Sequence, residues 1–138
     1  MMAKNQAQLE GFIEAELEKQ LGRIPLRNAQ GDLAIRVGST VVFLRSTPDA
    51  KEVQLCSPLV HDVAGRSRAV EVLNDLNCET RFCRFALHKD RVFAQISVFA
   101  RPFVPRHLQQ ALEAISLVAD GIDDELATRL SGRTTYPS

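Results

Sequence analysis

Leu9, Phe12, Ile13, Leu17 and Leu21 recur at steps of three and four, the spacing that lays one apolar stripe along a helix. The pattern predicts a helix over residues 5–21. Asn5, followed three places later by Gln8, is suited to cap its start, and Gly22 to end it. A connector containing Pro25 follows, and the period then falls to two. Leu33, Ile35 and Val37 alternate with Ala34 and Arg36, which predicts a strand with one buried face.

Gly38-Ser39 forms a two-residue hairpin turn in this reading, because glycine accepts the positive φ of the first turn position. That turn pairs Val37 with Thr40, Ile35 with Val42, and Leu33 with Leu44. Val41 and Phe43 then project from the opposite face. A third strand is expected over 52–57, with Val53 and Leu55 in the core, and Pro58 either ending the ladder or marking an edge. Residues 61–77 return to helical spacing, with Ala69, Val70, Leu73, Leu76 and Asn77 on the less polar side.

"RFCRFALHKDRVFAQISVFA", residues 81–100, reads as a hairpin around Lys89-Asp90. It pairs Leu87 with Val92, Phe85 with Ala94, and Cys83 with Ile96. Its other face carries Phe82, Arg84, Ala86, Phe93, Gln95, Ser97 and Phe99. A long last helix holds Leu108, Ala111, Leu112, Ile115, Val118, Ala119, Ile122, Leu126 and Leu130 on one stripe, with Pro105 in its first turn and Gly121 weakening its middle enough to admit a bend.

The order is helix, three strands, helix, two strands, helix. Short turns make neighbouring strands antiparallel. The fold expected is α+β, a five-stranded antiparallel sheet with the terminal helices across one face. Residues 1–130 form one domain, and 131–138 a flexible tail.

Phenylalanines on both faces of the sheet change the picture, since a half-buried sheet keeps its second face polar. Phe43, Phe82, Phe93 and Phe99, with Val41, lie on the side away from the core. The short middle helix is too small to cover a five-stranded face, and large uncovered apolar patches mark association sites. Homodimerisation is the commonest form of that.

Composition excludes more than it suggests. Seventeen Lys and Arg balance seventeen Asp and Glu, so the chain lacks the basic excess of a nucleic-acid binder. No stretch approaches a membrane span and no leader stands at the N-terminus, which reads as a cytoplasmic protein. Cys56, Cys78 and Cys83 are odd in number and show no Cys-x-x-Cys, so neither a disulfide framework nor a zinc site is implied. Asp120, Asp123 and Asp124 fall at helical spacing and read as a solvated face rather than a metal site. His61, His88 and His107 have no nucleophile at a fitting place, and glycine-rich phosphate loops are absent. No enzyme, cofactor or metal is expected. The rival reading is a small-molecule sensor or an enzyme with a pocket under the last helix, using His61, Arg84 or Arg101.

From Gly31 to about Leu130 the chain resembles the bacterial YbjN family, related in fold to type III secretion chaperones. The residues that carry the resemblance are "SPLVHDVAGRSRAVEVLNDLN", then "RFALHKDRVFAQISV", and a long final helix containing "VAD". The resemblance implies a small non-enzymatic homodimer that binds an extended segment of a partner protein, as a chaperone-like module or adaptor. It also implies a dimer interface on the middle helix and neighbouring strands, here Val70, Leu73 and Leu76 with Phe82 or Phe99. Together with Val41, Phe43 and Phe93 from the pattern, these are the candidate dimer or partner-binding residues.

Overall fold

A computed structural model describes residues 1–38, 40–130 and 132–134, with 123, 124 and 134 described through their backbone. Helix α1 (Gln6–Leu21) starts where the sequence places it. Asn5 Oδ1 accepts the Gln8 N–H at 2.8 Å, and Gln8 Oε1 accepts the Lys4 N–H at 2.7 Å. Two otherwise orphaned amides are thereby satisfied. Gly22 closes the helix at φ 77, its N–H on Glu18 O. Leu9, Ile13 and Leu17 are buried, and Phe12 stacks on Phe103 with ring centroids 6.1 Å apart.

Strands β1 (Leu33–Val37), β2 (Thr40–Ser46) and β3 (Glu52–His61) come next. Then follow α2 (Arg66–Glu79), β4 (Arg84–His88), β5 (Arg91–Phe99), α3 (Pro105–Arg129) and the two-residue β6 (Arg133–Thr134). The sheet order is β1-β2-β3-β5-β4, every pairing antiparallel, with β6 added beside β3. Both hairpin registers are as the pattern requires: Leu33 faces Leu44 and Ile35 faces Val42, while Phe85 faces Ala94 and Leu87 faces Val92. The expected pair of Cys83 with Ile96 does not form, because β4 begins at Arg84. In the first turn Gly38 has φ 57, and a Cβ there would come within 2.8 Å of Asp120 Oδ1 on α3. Ser39, the second turn residue, lies outside the described residues.

Four expectations need correction. β3 does not stop at Pro58: it runs on to His61 in the middle of the sheet, with Pro58 opposite Phe93 and a register shift between Pro58 and Val60. Proline has no N–H for the ladder. Continuing the β2–β3 register from Phe43 and Cys56 puts Val41 opposite Pro58, and there Ser57 Oγ donates to Val41 O at 2.9 Å. Thr40 Oγ1 in turn donates to Ser57 Oγ at 2.7 Å. A buried hydroxyl chain thus replaces the missing backbone bond.

In the second correction, Phe82 is not in a strand. β4 begins at Arg84, and Phe82 lies before it with φ 66. Third, α2 buries Ala69, Val72, Leu73 and Leu76, so Val72 rather than Val70 completes its stripe. Fourth, part of the expected tail is ordered, because Arg133 and Thr134 pair with His61 and Val60; residues 135–138 lie outside the described residues. α3 runs unbroken through Gly121.

α1 and α3 cover one face of the sheet, and all the buried side chains form one cluster. α2 lies along β4. Its Asn77 takes the place of a further strand: Oδ1 accepts the Phe85 N–H at 2.7 Å, and Nδ2 donates to Phe85 O at 3.0 Å. Among the described residues no helix crosses the second face.

Candidate functional site

Two surfaces remain open. The first is an edge. β5 extends to Phe99, but β4 begins at Arg84, opposite Gln95. Among the described residues, 96–99 therefore have a strand neighbour only on the β3 side, where Ile96 to Phe99 face Leu55 to Glu52. An unpaired half-strand is a template for another extended chain. Beside it lies a groove of about 900 Å³, walled by Ile96, Val98, Val104, Ala111 and Ala114. Phe82 and Phe99 stand at its rim, 85% and 83% exposed. Those figures matter, because rings so placed contribute little to the single chain and are free for a partner. Ser97, Arg101, His107 and Gln110 supply the groove's polar side chains.

The second surface is the helix-free face of the sheet, hollowed to about 800 Å³. Phe43 and Phe93 lie half-buried in it, flanked by Gln54, Cys56 and Gln95. Arg45, Arg84 and Arg91 reach it from three strands. Arg45 is held by Asp32 in a bidentate pair, Nε to Oδ1 at 2.8 Å and an Nη to Oδ2 at 2.9 Å. That hydrogen bonding pushes the guanidinium pKa up.

The candidates thus separate. Phe43, Phe93 and the half-buried Val41 share the second face, as the alternation requires. Phe82 and Phe99 both line the edge groove, Phe99 keeping its place in the β5 alternation. On α2, Val70 is exposed, whereas Leu73 and Leu76, at 4% and 8% exposure, are core residues of the single chain. They stabilise α2 against the sheet and offer no open surface. Sequence reading missed the groove wall on α3, Ala111 and Ala114, because small residues on an apolar stripe look like core. It also passed over Arg84 and Arg91 as a pair, although the predicted hairpin register already put them on the face of Phe93, one at the level of Gln95 and one two residues before Phe93.

Nothing here assembles for catalysis. His61 and Arg84 line the hollow but Arg101 belongs to the groove, so the three polar residues of the rival reading do not converge. Burial pushes the Cys56 thiol up, partly offset by a hydrogen bond with Gln95, and burial pushes Cys83 up likewise. Protonated thiols are poor nucleophiles. Among the described residues no cluster of His, Cys, Asp or Glu suits a metal ion, and no helix is long and apolar enough to cross a membrane.

Residues 7–138 match the family model described as T3SS (YopN, CesT) and YbjN peptide-binding chaperone 1. The chain belongs to this peptide-binding chaperone family. No curated protein matches it. Among solved structures, a chain of the ExsC–ExsE complex is similar at 16% identity and a TM-score of 0.70, over 91% of this chain and 97% of that one. A chain of the Yersinia pestis type III secretion chaperone SycH in complex with a fragment of YscM2 aligns at 20% identity and TM-score 0.57, over 85% and 96%. One from the HopA1–SchA chaperone–effector complex aligns at 11% and 0.63, over 84% and 94%. At such identities the likeness is one of fold. The family is one of peptide-binding chaperones, proteins whose role is binding rather than catalysis, and the SycH and HopA1–SchA structures are described as chaperone complexes too.

Proposed function

We propose that this chaperone is a cytoplasmic homodimer that holds an extended segment of a partner protein along the free edge of β5. The observation that carries the reading is the half-strand at 96–99, unpaired beside an apolar groove and flanked by two exposed phenylalanines. A strand added there gains backbone hydrogen bonds on one side and places alternate side chains in the groove. Backbone pairing is indifferent to side-chain identity and apolar burial is non-directional, so varied client sequences suit one site. Self-association takes the outer side of α2 around Val70, a surface that leaves the β5 edge free.

Light scattering after size exclusion tests both halves. The account expects twice the 15.3 kDa of one chain, reduced to one chain by Val70→Glu. Phe99→Asp should keep the dimer and lose capture of a fluorescent peptide of alternating leucine and serine. A monomeric wild type removes the dimer from the account. Undiminished capture by Phe99→Asp removes the β5 edge.

A further inference from the structure

The helix-free face of the sheet has a chemistry that the edge groove lacks. Arg91, Phe93 and Gln95 alternate on β5, so their side chains share that face, and Arg84 joins them from β4 as the partner of Gln95. Four residues of strand separate the levels of Arg91 and Gln95, a distance of about 13 Å. The two arginines are therefore set about 13 Å apart along the strand, with Phe93 and its neighbour Pro58 between them. Among the described residues neither guanidinium has an ion-pair or hydrogen-bond partner. Asp32, the only carboxylate lining the hollow among the described residues, is already taken by Arg45. In a chain of zero net charge, this hollow keeps two uncompensated guanidinium groups, and it shows in Arg45 and Asp32 how it holds a carboxylate.

We propose that this face is a second seat for the partner segment, selective for an extended stretch of the form acid, any residue, large apolar residue, any residue, acid. The proposal rests on the peptide-binding reading above and adds a sequence preference to it. In an extended chain, side chains i, i+2 and i+4 point the same way, and the first and last lie about 13 Å apart. Carboxylates at i and i+4 meet Arg91 and Arg84 in bidentate pairs, while the apolar side chain at i+2 rests on Phe93. A single small anion cannot bridge that distance, which is why the occupant is a peptide. The motif reads the same in both chain directions.

Three fluorescent peptides, titrated by anisotropy, make the test. One carries the core Glu-Ser-Leu-Ser-Glu, the second the same composition as Ser-Glu-Leu-Glu-Ser, and the third alternates leucine and serine without charge. The first should bind about tenfold tighter than the second, and 0.5 M salt should shrink the difference. Arg84→Gln with Arg91→Gln should erase it, with melting unchanged because both side chains are exposed. Equal binding of the two glutamate peptides, or a preference that survives the double variant, overturns the acidic seat. So does a single-stranded oligothymidylate that displaces the first peptide as well as unlabelled peptide does. If the uncharged peptide still binds in those cases, the chaperone reading stands alone; if no peptide binds, both readings fall.

Discussion

Phe82→Asn should move stability and binding in opposite directions. The aromatic side chain is held at φ 66 with its ring 85% exposed. Left-handed backbone costs an ordinary L-residue about 1–2 kcal/mol, whereas asparagine tolerates it. The free chain gains almost nothing from a ring left in water, so the substitution should raise its stability by about 0.5–1 kcal/mol. Burying that ring against a partner is worth about 1.5–3 kcal/mol, which becomes a loss of roughly 10- to 100-fold in peptide affinity. Urea unfolding reads the first effect as a higher midpoint at unchanged slope, and anisotropy with the alternating leucine–serine peptide reads the second. Phe82→Ala keeps the strained backbone and removes the ring, so it should weaken binding without the stability gain. If Phe82→Asn costs the free chain about 1 kcal/mol or more, the ring belongs to the core. If affinity is unchanged, the ring does not touch the client. Either result refutes the reasoning.

Asn77→Ala removes both hydrogen bonds to the Phe85 backbone and should cost about 1–3 kcal/mol in urea unfolding, although the residue itself lies on the surface. The Asp49 carboxyl accepts from Thr47 Oγ1 at 2.6 Å and from the Lys51 N–H at 3.0 Å, and these bonds, Thr47's first, lower its pKa below 3.8. A depressed carboxylate lends stability above its unfolded pKa and loses it as pH falls through the folded value. Asp49→Asn should therefore melt below wild type at neutral pH, and the difference should close as pH falls through and below the usual carboxylate range. Iodoacetamide at neutral pH should modify the exposed Cys78 first, with Cys56 and Cys83 reacting only on unfolding, because burial raises both thiols; mass spectrometry of the intact and unfolded chain checks the order.

Strand pairing was legible because period-two alternation and two short turns leave a single register that keeps Leu33, Ile35, Val42 and Leu44 on one face. The cap of α1 was legible because Asn5 and Gln8 act locally. What escaped depends on tertiary context. Pro58 sits in a central strand because Ser57 and Thr40 supply the bond it lacks, a compensation that only the folded sheet reveals. Val70 and Val72 are equally apolar, and which of them is buried depends on how α2 lies along β4. Phe82 was read as a strand residue of the second face, but the late start of β4 leaves it outside the sheet, at the rim of an open edge beside the end of β5. That late start, not the count of phenylalanines, makes the groove.

Amide hydrogen exchange across β5 tests the central claim most directly. With the alternating leucine–serine peptide bound, the outward amides of residues 96–99 should slow by at least about tenfold, while those of 91–95, already paired with β4, stay as they are. Unchanged exchange at 96–99 in a saturated complex would contradict the account, because the client would then lie elsewhere on the molecule.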